Sequence, residues 1–572
     1  MALIDIRPHG GLLVDLRATP DRADELRKLA LEWPNWVLTP RQLCDLELLG
    51  NGGFSPLRGF LNEADHAGVC AELRLDDGTL WPMPIVLDVD PVLAASLAPG
   101  QPLGLRDAEG VLRAAIEVTE VYRRDRLAEA ETVFGSTDPD HPGVAAVLTG
   151  HEHCVAGRLE IVTPPEHYDY RTLRHTPAEL RAEFARRGWE RVVAFNSRNP
   201  MHRAHFELTR RAAEETGAAL LLHPIVGITA PGDIDYFTRV RCYQAVLPSY
   251  PEGRAMISLL PLAMRMGGPR EALWHAIIRQ NHGLTHFIIG RDHAGPKHRP
   301  DGTPYYAPAA ARELVNAHAD ELEITPVTFG EMVYLPSRDA YVPAAEVPAG
   351  ERGISISGTE QRRRLSAGEE LPSWFTPKAV FQELRRRYPP RSEQGFSVLF
   401  TGLSGAGKST IANVLRVKLL ERDRRQITLL DGDVVRRHLS SELGFSREHR
   451  ELNVRRVGFV ASEITRNGGA AICALIAPFR EPRQEVRQMI EAVGGYVLVH
   501  VATGIDVCEQ RDRKGLYAKA RAGLLPGFTG VSDPYEVPDD ADIVVDTAEE
   551  SAEQAADRIL LHLSELGFLD RA

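Results

Sequence analysis

The chain contains no apolar run of the ~18 residues that a bilayer-spanning helix needs, so no membrane segment is expected. Cysteine is scarce and scattered, with six residues at 44, 70, 154, 242, 473 and 508. None forms a CxxC pair, which excludes a disulfide framework and argues for reduced thiols. The one metal-like cluster, His151–Glu152–His153–Cys154, matches no recognised ligand spacing, and no zinc is expected. Positive charge is also in deficit. The 67 Lys and Arg against 79 Asp and Glu leave a net charge of −12, which disfavours general nucleic-acid binding but permits a local basic site. The opening MALIDIRPHGG lacks an apolar h-region and a small-residue cleavage site. It does not read as a secretory signal, and a cytoplasmic location is expected.

A length of 572 residues suggests three or four domains. Up to about residue 170, short apolar runs such as Gly10–Leu16, Pro82–Val89 and Val111–Val121 are broken by Gly and Pro. This spacing predicts a mostly β domain with a few helices, among them Asp21–Leu31, and it supplies no obvious catalytic group. A scaffold or dimerising role fits it best. From Thr176 the pattern alternates. Helices are expected over Pro177–Arg187, Ala204–Thr216, Arg239–Val246 and Arg270–Asn281, with strands over Arg191–Phe195, Ala218–Pro224 and Thr285–Ile289. A further strand is expected at Glu331–Leu335, a helix-like end after Ile354, and a polar linker at Tyr388–Gln394.

Such alternation implies a parallel sheet covered by helices, with ligands outside the carboxyl ends of the strands. Two turns fall at those ends. Ala194–His205, AFNSRNPMHRAH, packs Arg198, Asn199, His202, Arg203 and His205 into eight residues. If a helix starts at Pro200, His202 and His205 share a face beside free N–H groups, a setting suited to an anion. A solvated basic turn is the competing reading. The second turn, Gly290–Arg291–Asp292–His293–Ala294–Gly295, brings more cationic and imidazole groups to the same edge.

The C-terminal part restarts with a strand at Ser397–Phe400, which leads into Thr401–Thr410, TGLSGAGKST. This is G-x-x-x-x-G-K-[ST] between a strand and a helix, the context of a phosphate-binding loop. Its members are Gly402, Leu403, Ser404, Gly405, Ala406, Gly407, Lys408, Ser409 and Thr410. Backbone amides would cradle phosphates, Lys408 would reach the β and γ oxygens, and Ser409 would ligate Mg²⁺ carried by ATP. After a strand at Ile427–Leu430, Asp431 and Asp433 provide carboxylates for Mg²⁺ and for a hydroxyl proton. Arg436, Phe445, Arg450 and Asn453 suit a pocket for a second, anionic nucleotide, or else a solvated helix face. Lys514–Arg521 is a second basic cluster with the look of a lid.

These motifs carry a resemblance to two families. GGFSPLRGF, RNPMHRAH, Leu260–Ala276, GRDHAG and SISGT resemble ATP sulfurylase over residues 1 to about 390. GLSGAGKST, DGDVVR, GFSREHRELNVRR, APFREPR, RDRKGLY and GFTGVSDPYEVP resemble adenylylsulfate (APS) kinase over 395–572. The resemblance implies an α/β multidomain chain. Residues 1–170 would form a PUA-like N-terminal domain and 171–340 a Rossmann-like nucleotidyltransferase domain. Residues 341–390 would form a small subdomain with linker, and 391–572 a P-loop kinase domain. It also implies two reactions in series: ATP and sulfate giving APS and pyrophosphate, then APS and ATP giving the 3′-phosphorylated product PAPS. The partners implied are ATP, sulfate and APS, with Mg²⁺, in a homo-oligomer of two or more chains.

By this resemblance Asn196, Ser197, Arg198 and Asn199 bind sulfate and nucleotide, and His202 and His205 stabilise charge on the transferring and leaving phosphates. Arg291 with Ala294 completes the sulfate pocket, and Gly290, Asp292, His293, Met332 and Val333 line the nucleotide. Asp433 is the implied base for the ribose 3′-hydroxyl. Asp431, Arg436, Phe445, Arg450, Asn453, Lys519 and Phe528 hold APS. Three positions depart from the family pattern: Asn196 stands where Gln is common, His449 where Asp is common, and Ala477 where many relatives carry a Ser proposed as a phosphoenzyme residue. Alanine cannot carry a phosphate, so direct transfer is expected. A C-terminal domain serving only as a PAPS-binding regulatory module is the alternative. Fungal relatives of that kind have lost the phosphate loop, which this chain retains.

Overall fold

Threonine before proline opens several helices here, because the hydroxyl caps free amides and proline presets the first turn. Thr176 does this for the helix Pro177–Arg187 in a capping box with Glu179, and Gly188 closes that helix at φ +68°. The computed structural model describes residues 6–570 except 231, 297, 298, 300 and 513, with the side chains of Thr359 and Ser366 also outside the described set. The first five positions of the segment read for a targeting signal therefore lie outside it, as does position 513 of the RDRKGLY motif.

Compactness divides the chain into two units. One runs to Ile356 and regains Pro372–Leu384; the other takes Ser357–Leu371 and everything from Arg385. The stretch 341–390, expected as a small domain with linker, is split between them.

The first unit begins with five strands: β1 (Asn35–Val37), β2 (Leu87–Val89), β3 (Pro102–Arg106), β4 (Leu112–Arg123) and β5 (His153–Ile161). They pair in the order β1-β3-β4-β5-β2, antiparallel except for β1 with β3. Six α-helices also lie before residue 150, more than the broken apolar runs suggested. This region shares a core with the rest of its unit. Phe54 packs against Trp81 at 5.9 Å and against Trp274 at 5.2 Å, all three fully buried.

The second sheet of this unit has β6 (Val192–Phe195), β7 (Ala219–Leu222), β8 (Ala255–Ile257), β9 (His286–Ile289) and β10 (Thr325–Thr328). All pairings are parallel in the order β10-β9-β6-β7-β8, which places the switch in strand order between β6 and β9. A doubly wound sheet opens its ligand crevice at that point. The outer strands β8 and β10 escape the apolar pattern because one is three residues long and the other carries Pro326. Proline is tolerated at a sheet edge, where no second neighbour needs its amide. A hairpin, β11 (Met332–Leu335) and β12 (Ala340–Pro343), completes the unit's strands.

The second unit is a parallel sheet of β13 (Phe396–Thr401), β14 (Ile427–Asp431), β15 (Ala470–Ala474), β16 (Gly495–Val501) and β17 (Ile543–Val545), in the order β14-β15-β13-β16-β17. β13 is buried at every residue, as expected of a central strand covered on both faces. Among the described residues no helix is long and apolar enough to cross a membrane.

Candidate functional sites

β6 ends at Phe195, and the turn 196–201 delivers the chain to the helix Arg203–Thr216. That helix starts three residues later than Pro200: His202, extended at φ −87° and ψ 169°, is the N-cap. Pro200 therefore belongs to the turn, two residues before the N-cap. The turn after β9 lies beside it. Together they wall a cavity of ≈ 400 Å³ lined by residues including Asn196, Ser197, Arg198, Asn199, His205, Gly290, Arg291, Asp292, His293, Ala294 and Met332. The two turns thus converge on one cavity. His202 and Val333 are not in its wall. His202 instead stacks on Phe375 at 4.5 Å, and its Nδ1 shares a 2.9 Å hydrogen bond with Thr376 Oγ1.

Arg198 is held from three sides. Its Nη2 donates to the Gly295 carbonyl at 2.7 Å, and its Nη1 lies 3.4 Å from Met266 Sδ and 3.5 Å from Asp233. Arg291 pairs with Asp292 at 3.3 Å and with Glu331 at 3.1 Å. Both guanidiniums therefore have carboxylates beside them, and an arriving anion competes with those pairs. Burial pushes the His205 imidazole down to about 4, so it is neutral at physiological pH. Its Nδ1 accepts the His202 backbone N–H at 3.3 Å, and the ring also hydrogen-bonds to the Pro200 carbonyl. A neutral imidazole can stabilise charge on a phosphate only by hydrogen bonding, not as a cation. Asn196 Oδ1 is buried with no partner among the described residues. A buried unsatisfied oxygen costs about 1–3 kcal/mol, which a ligand donor would relieve.

Residues that the motifs did not flag complete this site. Asp233 and Glu331 balance the arginines, and Tyr243 donates to the Ser197 carbonyl at 3.3 Å. Tyr243 lies within the expected helix, but nothing in its spacing marks it as a prop for the turn after β6.

In the second unit β13 feeds the phosphate loop. Gly402 sits at φ +147°, and a Cβ there would come 2.5 Å from the Val501 carbonyl oxygen. Gly407 caps the helix Lys408–Arg422 at φ +103°. Both conformations favour glycine strongly. Lys408 is buried and donates to the carbonyls of Gly402 (2.9 Å) and Leu403 (2.7 Å), and desolvation lowers its ammonium to about 8. Ser409 Oγ donates to Asp431 at 2.7 Å. These paired hard oxygens are the donor set that Mg²⁺ prefers, so the residues fit the ion. Among the described residues no group of three or more His, Cys, Asp or Glu could hold a metal on its own.

Asp431 also caps the helix Gly432–His438, accepting the Asp433 N–H at 3.0 Å. The Asp433 carboxylate is ion-paired with Lys514. Arg436 stacks over the exposed Phe445 ring at 4.5 Å. Arg450 donates to Thr529 at 2.7 Å and pairs with Asp533, and the buried Asn453 Oδ1 has no partner among the described residues. Phe528 packs edge-on to Tyr517 at 5.0 Å, and the Tyr517 hydroxyl donates to the Ser404 carbonyl at 2.8 Å, which ties the lid segment to the phosphate loop. Lys519 is exposed on the short helix Leu516–Arg521. His449 accepts the Gly444 amide through Nδ1 at 2.9 Å, a local capping contact. Ala477 is buried at φ +43°, with its carbonyl accepting from Arg483 at 2.8 Å.

Three family models match the chain: a PUA-like domain over 6–164, ATP-sulfurylase over 171–387 and adenylylsulphate kinase over 394–546. A protein of Phaeosphaeria nodorum named sulfate adenylyltransferase is 52% identical over 567 residues, covering 98% of this chain and 99% of its own. One of Emericella nidulans with the same name is 52% identical over 570 residues, covering 99% of each. A solved structure described as hexameric APS kinase from Thiobacillus denitrificans superposes with a TM-score of 0.80 at 40% identity, covering 99% of both chains.

Proposed function

Since the chain belongs to the sulfate adenylyltransferase family, with an APS kinase domain after the sulfurylase domain, we propose that it runs both steps of sulfate activation and releases PAPS. In the first step a sulfate oxygen attacks the α-phosphorus of ATP. The new S–O–P linkage forms as the bond to the β-phosphate oxygen breaks, and pyrophosphate leaves. Arg198 and Arg291 exchange their carboxylate partners for sulfate and phosphate oxygens. His205 donates a neutral ring N–H to a phosphate oxygen, and Asn196 contributes its unsatisfied oxygen to a nucleotide donor. Such displacement needs positioning and charge stabilisation more than a strong base.

In the second step the 3′-hydroxyl of APS attacks the γ-phosphorus of a second ATP, its proton passes to Asp433, and ADP leaves. The Lys514–Asp433 pair must open for the carboxylate to accept that proton. Mg²⁺ bound with ATP neutralises charge on the β and γ oxygens, and Ser409 and Asp431 would hold it. The absence of a hydroxyl at Ala477 favours direct transfer. Adenylation of sulfate is uphill, and consumption of APS by the kinase draws it forward.

The observation that carries the kinase assignment is the joint placement of Lys408, Ser409, Asp431 and Asp433 around one phosphate loop. The fungal relatives carry the sulfurylase name alone, which keeps the regulatory reading as the alternative. Protein given ATP, Mg²⁺, radiolabelled sulfate and inorganic pyrophosphatase decides between them. Labelled PAPS is the expected product; accumulation of labelled APS alone would sink the kinase assignment. The other proposed properties, a cytoplasmic location and assembly into a homo-oligomer, are checked by fractionation and by light scattering.

A further inference from the structure

The helix Gly268–Asn281 is buried along almost its whole length, yet Glu271, His275 and Arg279 stand four residues apart on one stripe of it. Ionisable groups on a covered helix cost stability unless they are engaged, so the stripe calls for a physical reason. Its first two members each hold a different loop. Glu271 accepts the backbone N–H groups of Arg265 (3.0 Å) and Gly267 (2.8 Å), bridging the amides on either side of Met266, which stands at φ +61°. His275 Nδ1 shares a 2.9 Å hydrogen bond with His293 Nε2, and its other nitrogen lies 3.3 Å from Glu271 Oε1. The two loops then meet at one side chain: Met266 Sδ and the Gly295 carbonyl both touch Arg198.

We propose that Glu271 and His275 are positioning residues for the anion cavity, fixing the loops 265–267 and 290–295 and through them the pose of Arg198 and His293. Neither needs to touch a substrate. His293 stands in the cavity wall with Nε2 engaged by His275, so Nδ1 is the nitrogen left for a ligand. The pose matters because recognition of an oxyanion by a guanidinium depends on alignment, and a misplacement of about 1 Å costs up to ~100-fold in rate. This inference rests on the sulfurylase reading of the cavity and extends it to residues behind the wall.

Three variants of the full chain test it: His275→Leu, His275→Gln and Glu271→Gln. Each is assayed for pyrophosphate release from ATP with sulfate, for kinase turnover of added APS, and by thermal melting. His275→Leu is expected to raise the KM for sulfate about tenfold or more and to lower kcat for the first step, with kinase turnover unchanged. His275→Gln keeps a donor and an acceptor and should recover most of the loss. A role in packing alone predicts the opposite order, since leucine suits an apolar core better than an amide. His275→Leu with the parental KM and kcat for the first step would overturn the proposal. If the leucine variant does not fold, parental sulfate KM values in both His275→Gln and Glu271→Gln overturn it, whereas a raised KM in Glu271→Gln supports it. Failure of the parent chain to form APS would defeat the sulfurylase reading itself, a result distinct from either outcome.

Discussion

The two proposed anion sites of this chain follow different plans. The phosphate loop is a local device: glycines at φ angles that other residues avoid turn backbone amides toward one point, and Lys408, Ser409 and Thr410 come next in sequence. The cavity at the β6–β9 switch is an assembled device. It takes Arg198 from one turn, Arg291 and His293 from another and Glu331 from a third segment, and it depends on buried props behind them. A local device tolerates change elsewhere in the sheet, whereas an assembled one is sensitive to any residue that sets its parts at a distance.

The largest expected effects separate the sites outright. Arg198→Ala should lower kcat/KM for APS formation by about 10²–10³-fold, the scale of a lost oxyanion donor, with kinase turnover of added APS unchanged. Lys408→Ala should do the reverse, abolishing PAPS formation while labelled APS still forms when added inorganic pyrophosphatase removes pyrophosphate. Equal losses in both steps from either variant would break the picture of two separate centres.

Next comes pH, where the buried cations behave differently. Lys408 lies near 8, so above that value the free enzyme loses its ammonium, and kcat/KM for ATP in the kinase step should fall as pH rises through about 8. His205 lies near 4, below the ordinary imidazole value of 6.5, so it stays neutral between pH 5 and 8. The first step should therefore show no histidine limb in kcat/KM over that range, measured by initial rates after allowing for ionisation of ATP. The same shift has a stability sign. The unfolded chain binds more protons than the folded one below pH 6.5, so His205 stabilises the fold at neutral pH, and this contribution is lost as pH falls toward 4. His223, His275, His282 and His293 are depressed in the same direction, so chemical denaturation at pH 7 and pH 5 isolates the His205 share only by comparing the parent with His205→Gln.

Much of this organisation was legible from residues alone. The phosphate loop needed only its own ten positions and their strand and helix context. The strand-end turns were legible because alternating elements dictate which edge carries ligands, and Arg198 and Arg291 do share one cavity. What stayed hidden depends on distant packing. Nothing local to His202 says that it turns toward Phe375, or that burial strips the charge from His205. The edge strand at Pro326 breaks the apolar pattern, and Glu271 and His275 looked like ordinary members of an expected helix. The division of 341–390 between two units also escaped a linear reading, since Pro372–Leu384 returns to the first unit after an excursion.

Smaller effects sharpen the comparison. Asn196→Ala removes a buried oxygen that has no partner among the described residues, so the melting temperature should hold or rise. The KM for ATP in the first step should increase about tenfold, the worth of one hydrogen bond. A lowered melting temperature with parental KM would show that the oxygen serves the fold. Smallest of all is Ala477→Ser: with direct transfer at the kinase site the added hydroxyl takes no part in the chemistry, and kcat should stay within about twofold. Trapping of a phosphorylated serine together with a faster second step would contradict direct transfer.

Mixing the two crippled chains tests the central claim, that one polypeptide carries two complete centres in series. With inorganic pyrophosphatase present to draw the uphill first step forward, Arg198→Ala alone should make neither product from labelled sulfate, and Lys408→Ala alone should stop at APS. Mixed in equal amounts with ATP and Mg²⁺, they should restore labelled PAPS, because APS released by one chain meets an intact kinase on the other. A mixture that still accumulates only APS would show that the second domain is not a kinase and would contradict the account.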